Sequence, residues 1–241
     1  PEMAQATGLA SECRVVCAIH QSNASYLQHA LTRERGEPFA VISSGTWTIV
    51  MASGADPARL RADRDMLGSA NAFGSPVPTA RFMGGREYET IAASKAAPDE
   101  RALHAVLQRQ AMAVPAFASS GPFAGHAGKL VEAENLDDRG RAALATLYET
   151  LMIDVLLQSL GAQGDTIVDG PLAGNPLFAG LLAALRPASR ILVTPASTSS
   201  GRTACYLAGM LIPAAEISIA SEPLRAPGLE AYRAAWRNRL P

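Results

Sequence analysis

F-A-V-I-S-S-G-T-W-T-I-V, residues 39–50, decides the fold. An apolar run (39–42) meets a small polar turn, Ser43-Ser44-Gly45-Thr46, and a second apolar run (47–51) leaves it. The pattern predicts two β-strands joined by a tight turn. Gly45 permits a positive φ and close approach by other backbone or a ligand. Ser43, Ser44 and Thr46 place three hydroxyls at the tip. Successive N–H groups in such a turn form a concavity suited to an anion, a phosphate being the natural one. A Ser/Thr-rich hairpin without a ligand is the plainer alternative, because short turns of this composition are common.

Upstream, residues 4–9 read as a helix ending at Gly8, and 14–19 as a buried strand. His20, Gln21, Ser22 and Asn23 sit at that strand's end, with Ser22 or Asn23 as N-cap of a helix over 24–32. That is where α/β folds put chemistry, though ordinary capping explains these residues equally. Downstream, 54–65 and 71–78 read as loops, the second marked by Gly74, Pro76 and Pro78. Gly84-Gly85 opens a helix running to about residue 93. The pair offers free N–H donors and room for a ligand, or makes a plain turn.

Residues 98–110 read as a helix and 114–128 as a loop or insertion. Asp137-Asp138 begins a long helix over 141–160, whose Leu144, Leu147, Leu151, Val155 and Leu156 recur at core-facing spacing, and Gly161 and Gly164 end it. A strand at 166–168 runs into D-G-P-L-A-G-N (169–175) and a helix at 178–185, a strand–turn–helix that is neither a P-loop nor G-x-G-x-x-G. A strand at 190–193, a polar loop at 194–201, and helices at 202–211 and 229–237 complete the chain. Strands and helices alternate, so the class is α/β, read as a single domain over 1–241.

The 241 residues are 48% hydrophobic and 18% charged, enough for a substantial core. With net charge −1 and 5% aromatics, nothing argues for nucleic acid or an anionic membrane as partner. No apolar run reaches ~18 residues, so no membrane span is expected. The start, Pro-Glu-Met-Ala-Gln, does not read as a signal peptide. Three cysteines, Cys13, Cys17 and Cys205, suggest reduced thiols in a cytoplasmic protein. Neither they nor His20, His29, His104 and His126 show metal-ligand spacing, so the expected metal ligands are none.

These stretches resemble the C-terminal half of the FGGY carbohydrate kinases, especially rhamnulokinase- and fuculokinase-like members. V-V-C-A-I-H-Q-S-N-A-S-Y-L (15–27) looks like the family's G-x-H-D-x-x-A-S segment, I-S-S-G-T-W (42–47) like its second phosphate-binding hairpin, and V-D-G-P-L-A-G-N (168–175) like its adenosine motif. The resemblance implies a ribonuclease H-like lobe of the actin/hexokinase-type ATPase fold, a mixed sheet flanked by helices. It implies Mg2+ and ATP as cofactors and a ketose or related polyol as substrate. Gly45 and Thr46 would contact the ATP phosphates. Gly85 and Glu89 would lie by the adenosine, and Gly170 and Asn175 would flank adenine and ribose. The family's N-terminal lobe, with its D-x-G-T-T loop and most sugar-binding residues, is expected to be a partner outside these 241 residues. The oligomeric state stays open, a homo-oligomer included.

Two positions depart from the family pattern. Gln21 stands where the family has its catalytic aspartate, and a neutral amide cannot take the sugar hydroxyl's proton. Pro171 stands where the adenosine motif has a second glycine, and proline has no N–H to give. The readings are therefore a kinase's nucleotide-binding lobe, a catalytically impaired relative that holds nucleotide or sugar as a binding or regulatory module, and a purely structural domain. Thr46→Val is expected to weaken ADP binding, measured by calorimetry, with an unchanged melting temperature; unchanged affinity would take the hairpin out of the site.

Overall fold

The computed structural model describes residues 6–10, 19–34, 36–195, 199–210 and 218–241. Residues 14–18 of the strand expected at 14–19, with Cys13 and Cys17, lie outside the described residues. In chain order the elements are α1 (Gln21–Ala30), β1 (Phe39–Ser43), β2 (Thr48–Ser53), β3 (Met66–Ala70), β4 (Pro76–Phe82), α2 (Gly84–Ala92), α3 (Glu100–Arg109), β5 (Met112–Val114) and β6 (Lys129–Val131). They continue with α4 (Asp138–Leu160), β7 (Asp165–Asp169), α5 (Phe178–Leu185), β8 (Ile191–Val193), α6 (Ser199–Leu207), β9 (Ile219–Ala220) and α7 (Leu229–Arg237).

The opening hairpin forms as expected, β1 and β2 pairing antiparallel from Phe39↔Ser53 to Ser43↔Ile49. β1 also pairs in parallel with β7, from Phe39↔Asp165 to Ser43↔Asp169. The described sheet has the order β3-β4-β2-β1-β7-β8-β9, with β7 and β8 parallel and both edges antiparallel. This is the expected mixed sheet flanked by helices.

Side chains alternate across a strand, so a central strand covered on both faces must be apolar throughout. In β1, Ala40 and Ile42 join one core while Phe39 and Val41 join another. Val50 and Ala52 of β2 and Val168 of β7 face the first core; Met51 and Ile167 face the second. The larger core includes α4; in the smaller, Tyr26 of α1 stacks on Phe39 at 5.2 Å.

α4 spans the larger core. Asp137 caps it by accepting from the Gly140 N–H at 2.8 Å, and Gly161 ends it with φ 67°. Leu144, Leu147, Leu151 and Leu156 are buried as expected, and so are most other positions. It is long and apolar enough to cross a membrane by length and composition, but 83% of its most apolar window is buried inside the protein, which makes it a core helix.

Several local expectations change. His20, not Ser22 or Asn23, caps α1: its Nδ1 accepts from the Ser22 N–H at 3.3 Å, and Gln21 becomes the first helical residue. The loop expected over 71–78 is partly strand. Pro76 and Pro78 are tolerated because β4 pairs with β2 only from Thr79 onward, so their missing N–H groups break no bond on that side. β3 had no readable pattern because Gly68 and Ser69 interrupt its apolar residues. The 114–128 segment is flanked by the small β5–β6 sheet, whose three-residue strands are too short for a periodic signal.

Asp154 of α4 is fully buried and holds three arginines. Arg186 Nη1 donates at 3.2 Å, Arg233 Nη2 at 2.7 Å and Arg237 Nη2 at 2.8 Å. It thereby ties α7 to the core, where Trp236 Nε1 donates to the Ala113 carbonyl at 2.7 Å. Replacing one member of a buried ionic cluster strands the others. Asp154→Ala is expected to cost about 3 kcal/mol in urea unfolding, with α7 becoming protease-sensitive first; a loss near zero would show that the arginines re-solvate freely.

Candidate functional site

Three turns meet at the carboxyl ends of the parallel strands β1 and β7, where open α/β sheets place ligands. The first is the hairpin tip. Ser44 is its anchor: its N–H donates to the Asp169 carbonyl at 3.0 Å, its hydroxyl donates to the same oxygen at 2.7 Å, and its Oγ accepts from the Leu172 N–H at 3.0 Å. Of the three hydroxyls expected at the tip, that of Ser44 is thus used inside the fold, while Thr46 is exposed.

The second turn follows β7. Gly170 adopts φ 85°, and a Cβ there would lie 2.2 Å from the Ser44 carbonyl oxygen. The third is the N-terminus of α2. The Gly85 N–H donates to the Gly45 carbonyl at 3.2 Å, and a Cβ on Gly85 would lie 2.3 Å from that oxygen. One of the donors expected to be free is therefore already bonded, and Gly85 serves close backbone packing.

Between these turns opens a cleft of about 720 Å3. Gly45, Thr46, Gly85, Glu89 and Asn175 all line it, so five of the residues singled out from sequence share one wall system. Gly170 and Gln21 do not. They line an adjoining cavity of about 270 Å3 together with Ser25 and Asp169, and the two spaces share Ser44 and Pro171. The Asp169 carboxylate is buried; the Ser25 hydroxyl donates to one oxygen and the Gly170 N–H to the other, at 2.8 Å.

Asn175 has a second role. Its Nδ2 donates to Thr146 Oγ1 at 2.9 Å, and its Oδ1 accepts from the N–H groups of Leu177 and Phe178 at 3.0 and 3.2 Å. It fixes the turn into α5 while forming cleft wall.

Sequence reasoning missed Tyr88, Lys95 and Glu149, which also line the cleft. Glu149 lies on α4 and is 1% exposed. Burial pushes its carboxyl well above the usual range, nearby Glu87 adds to this, and the Thr48 hydroxyl pulls weakly the other way without reaching hydrogen-bond geometry. Burial also raises Glu87, opposed by the Tyr148 hydroxyl and the Ala118 N–H that donate to it. The available signal was an acid inside an otherwise apolar helical run, L-Y-E-T-L-M-I (147–153).

The arrangement is a ligand-sized cleft lined by turn backbone and by polar side chains that include Thr46, Tyr88, Glu89 and Lys95. Two glycines, Gly85 and Gly170, leave no room for side chains where backbones converge, and the buried Glu149 lines the same space.

Comparison with known proteins gives the family and the fold. The family model described as carbohydrate kinase FGGY, C-terminal domain, matches residues 36–216. A carbohydrate kinase from Novosphingobium aromaticivorans superposes with a TM-score of 0.81 at 33% identity, over 100% of this chain and 55% of that one. A xylulose kinase from Rhodospirillum rubrum (TM-score 0.60, 16% identity, 98% of this chain and 52% of that one) and a gluconate kinase from Lactobacillus acidophilus (0.67, 11%, 98% and 52%) share the fold. The chain spans about half the length of these proteins. No curated protein matches it.

Gly85→Ala is expected to push the hairpin off α2. ADP affinity should fall at least tenfold, together with a stability loss of about 1–3 kcal/mol from overpacking. Calorimetry and thermal unfolding check both, and a variant with normal ADP affinity would place the ligand away from this contact.

Proposed function

The chain belongs to the FGGY carbohydrate kinases through their C-terminal domain, and on that premise we propose that it is the nucleotide-binding lobe of a kinase that phosphorylates a ketose or related polyol with ATP. The observation that carries this reading is the convergence of the hairpin tip, α2 and the Gly170 turn on one cleft, with Cβ distances of 2.2–2.3 Å excluding side chains at Gly85 and Gly170. The phosphates would lie at Gly45 and Thr46, and the nucleoside toward Gly85, Glu89 and Asn175. Among the described residues no group of three His, Cys, Asp or Glu could hold a metal ion. Mg2+ would therefore enter on the nucleotide phosphates, as it commonly does. Catalysis would rest on positioning and charge stabilisation of the γ-phosphoryl, the sugar arriving from the N-terminal lobe.

A second reading, a relative that holds nucleotide or sugar without turnover, is favoured by Gln21. Among the described residues its cavity holds one carboxylate, Asp169, and that group is engaged by Ser25 and Gly170. Loss of a general base costs ~10²–10⁴-fold in rate.

The test joins this chain to its N-terminal lobe and assays a ketose and polyol panel, with Gln21 and Gln21→Asp side by side. Gln21→Asp is expected to raise turnover by ~10²–10⁴-fold. Measurable turnover by the Gln21 form supports the working kinase; turnover by the Asp form alone supports the impaired relative; ADP binding with turnover by neither rejects the kinase reading.

A further inference from the structure

Resting on the nucleotide reading of the cleft, we propose that Glu149 contacts the ligand directly, its carboxyl exchanging hydrogen bonds with the nucleoside half of the bound nucleotide. Both carboxyl oxygens are buried and lack a hydrogen-bond partner. A buried polar group left unpaired costs about 1–3 kcal/mol, so an orphaned pair on a ligand-sized cleft calls for an occupant. Glu149 reaches the cleft past Gly84, where a Cβ would sit 2.8 Å from each of its oxygens and 2.2 Å from Thr48 Oγ1. Only a glycine there leaves the carboxyl its place.

Glu149 has neighbours on both sides of the cleft. Thr146 lies one turn earlier on α4 and accepts from Asn175, and Tyr88 and Asn175 line the same cleft. The Glu149 oxygens also lie beside Thr48 and Gly84, close to the hairpin, so chemistry rather than position selects the half of the ligand. Burial disfavours the charged carboxylate, and a neutral carboxyl has one oxygen that donates and one that accepts. A phosphate that only accepts would satisfy one oxygen and leave the other orphaned. A ribose hydroxyl, or the adenine edge with its N6 donor beside its N1 acceptor, satisfies both.

The test is calorimetric binding of ADP, adenosine and inorganic tripolyphosphate to the wild-type chain, Glu149→Ala and Glu149→Gln. Glu149→Ala is expected to weaken ADP and adenosine roughly tenfold, the worth of one to two hydrogen bonds, and to leave tripolyphosphate unchanged. Glu149→Gln keeps a donor and an acceptor and is expected to restore most of the affinity. 2′-Deoxy-ADP and purine riboside diphosphate locate the contact: the ligand whose binding no longer responds to Glu149→Ala lacks the group that Glu149 touches. If Glu149→Ala does not fold, Glu149→Met fills the volume without polar atoms and carries the same comparison. Equal losses for adenosine and tripolyphosphate, or no loss for either, overturn the proposal while leaving the nucleotide site standing. A wild-type chain that binds neither ADP nor adenosine overturns the nucleotide reading and this inference with it.

Discussion

The site depends on the bond between Ser44 and Asp169, residues 125 apart in the chain. β1 and β7 run in parallel up to that point, and Ser44 closes the pairing with two donors onto one carbonyl. Its oxygen then receives the Leu172 N–H, so one serine sets the height of the hairpin tip and the start of the turn after β7. Closing a loop this long costs little more entropy than closing one of half its length, since the cost grows only logarithmically. Burial of Val41, Ile42, Ile167 and Val168, at ~1.5–3 kcal/mol each, outweighs that increment comfortably.

With the hairpin held, the glycines follow. Gly170 takes a left-handed φ because the chain must turn beneath Ser44, and Gly85 packs α2 against the Gly45 carbonyl. The cleft is what remains between three backbones that cannot come closer. Its lining comes mostly from these turns, the 94–98 loop and α2, with Thr48 of β2 and Glu149 of α4 completing it.

α4 carries polar groups into the core with different outcomes. Thr146 bonds back to the Ala142 carbonyl and receives Asn175, linking the helix to a wall of the cleft. Asp154 gathers Arg186, Arg233 and Arg237 and fastens α7. Glu149 is left without a partner beside the cleft. A helix buried almost all round has little reason to keep an unsatisfied acid for stability, which directs attention to what the cleft holds. Gln21 is the complementary case: on the proposed kinase reading, an amide stands where a base would be needed. The next carboxylate, Asp169, is occupied in holding α1 to the Gly170 turn.

The sequence by itself determined the hairpin, because two short apolar runs around a Gly-containing turn have few other solutions. It determined the long helix from its capping Asp137 to Gly161, and the strand–turn–helix around Gly170. Through the family resemblance it also brought out Gly45, Thr46, Gly85, Glu89 and Asn175, which line one cleft. Only the tertiary structure decided the rest. The β3–β4 pair was hidden because prolines outside the β2 ladder look like loop residues until the pairing is known. The roles of Ser44 and Gly85 were hidden because their partners come from elsewhere in the chain, and local spacing carries no record of such contacts. Glu149 read as one more helical residue until packing took both its oxygens out of water without supplying a partner. Burial and hydrogen-bond satisfaction belong to the assembled core, and periodicity alone cannot express them.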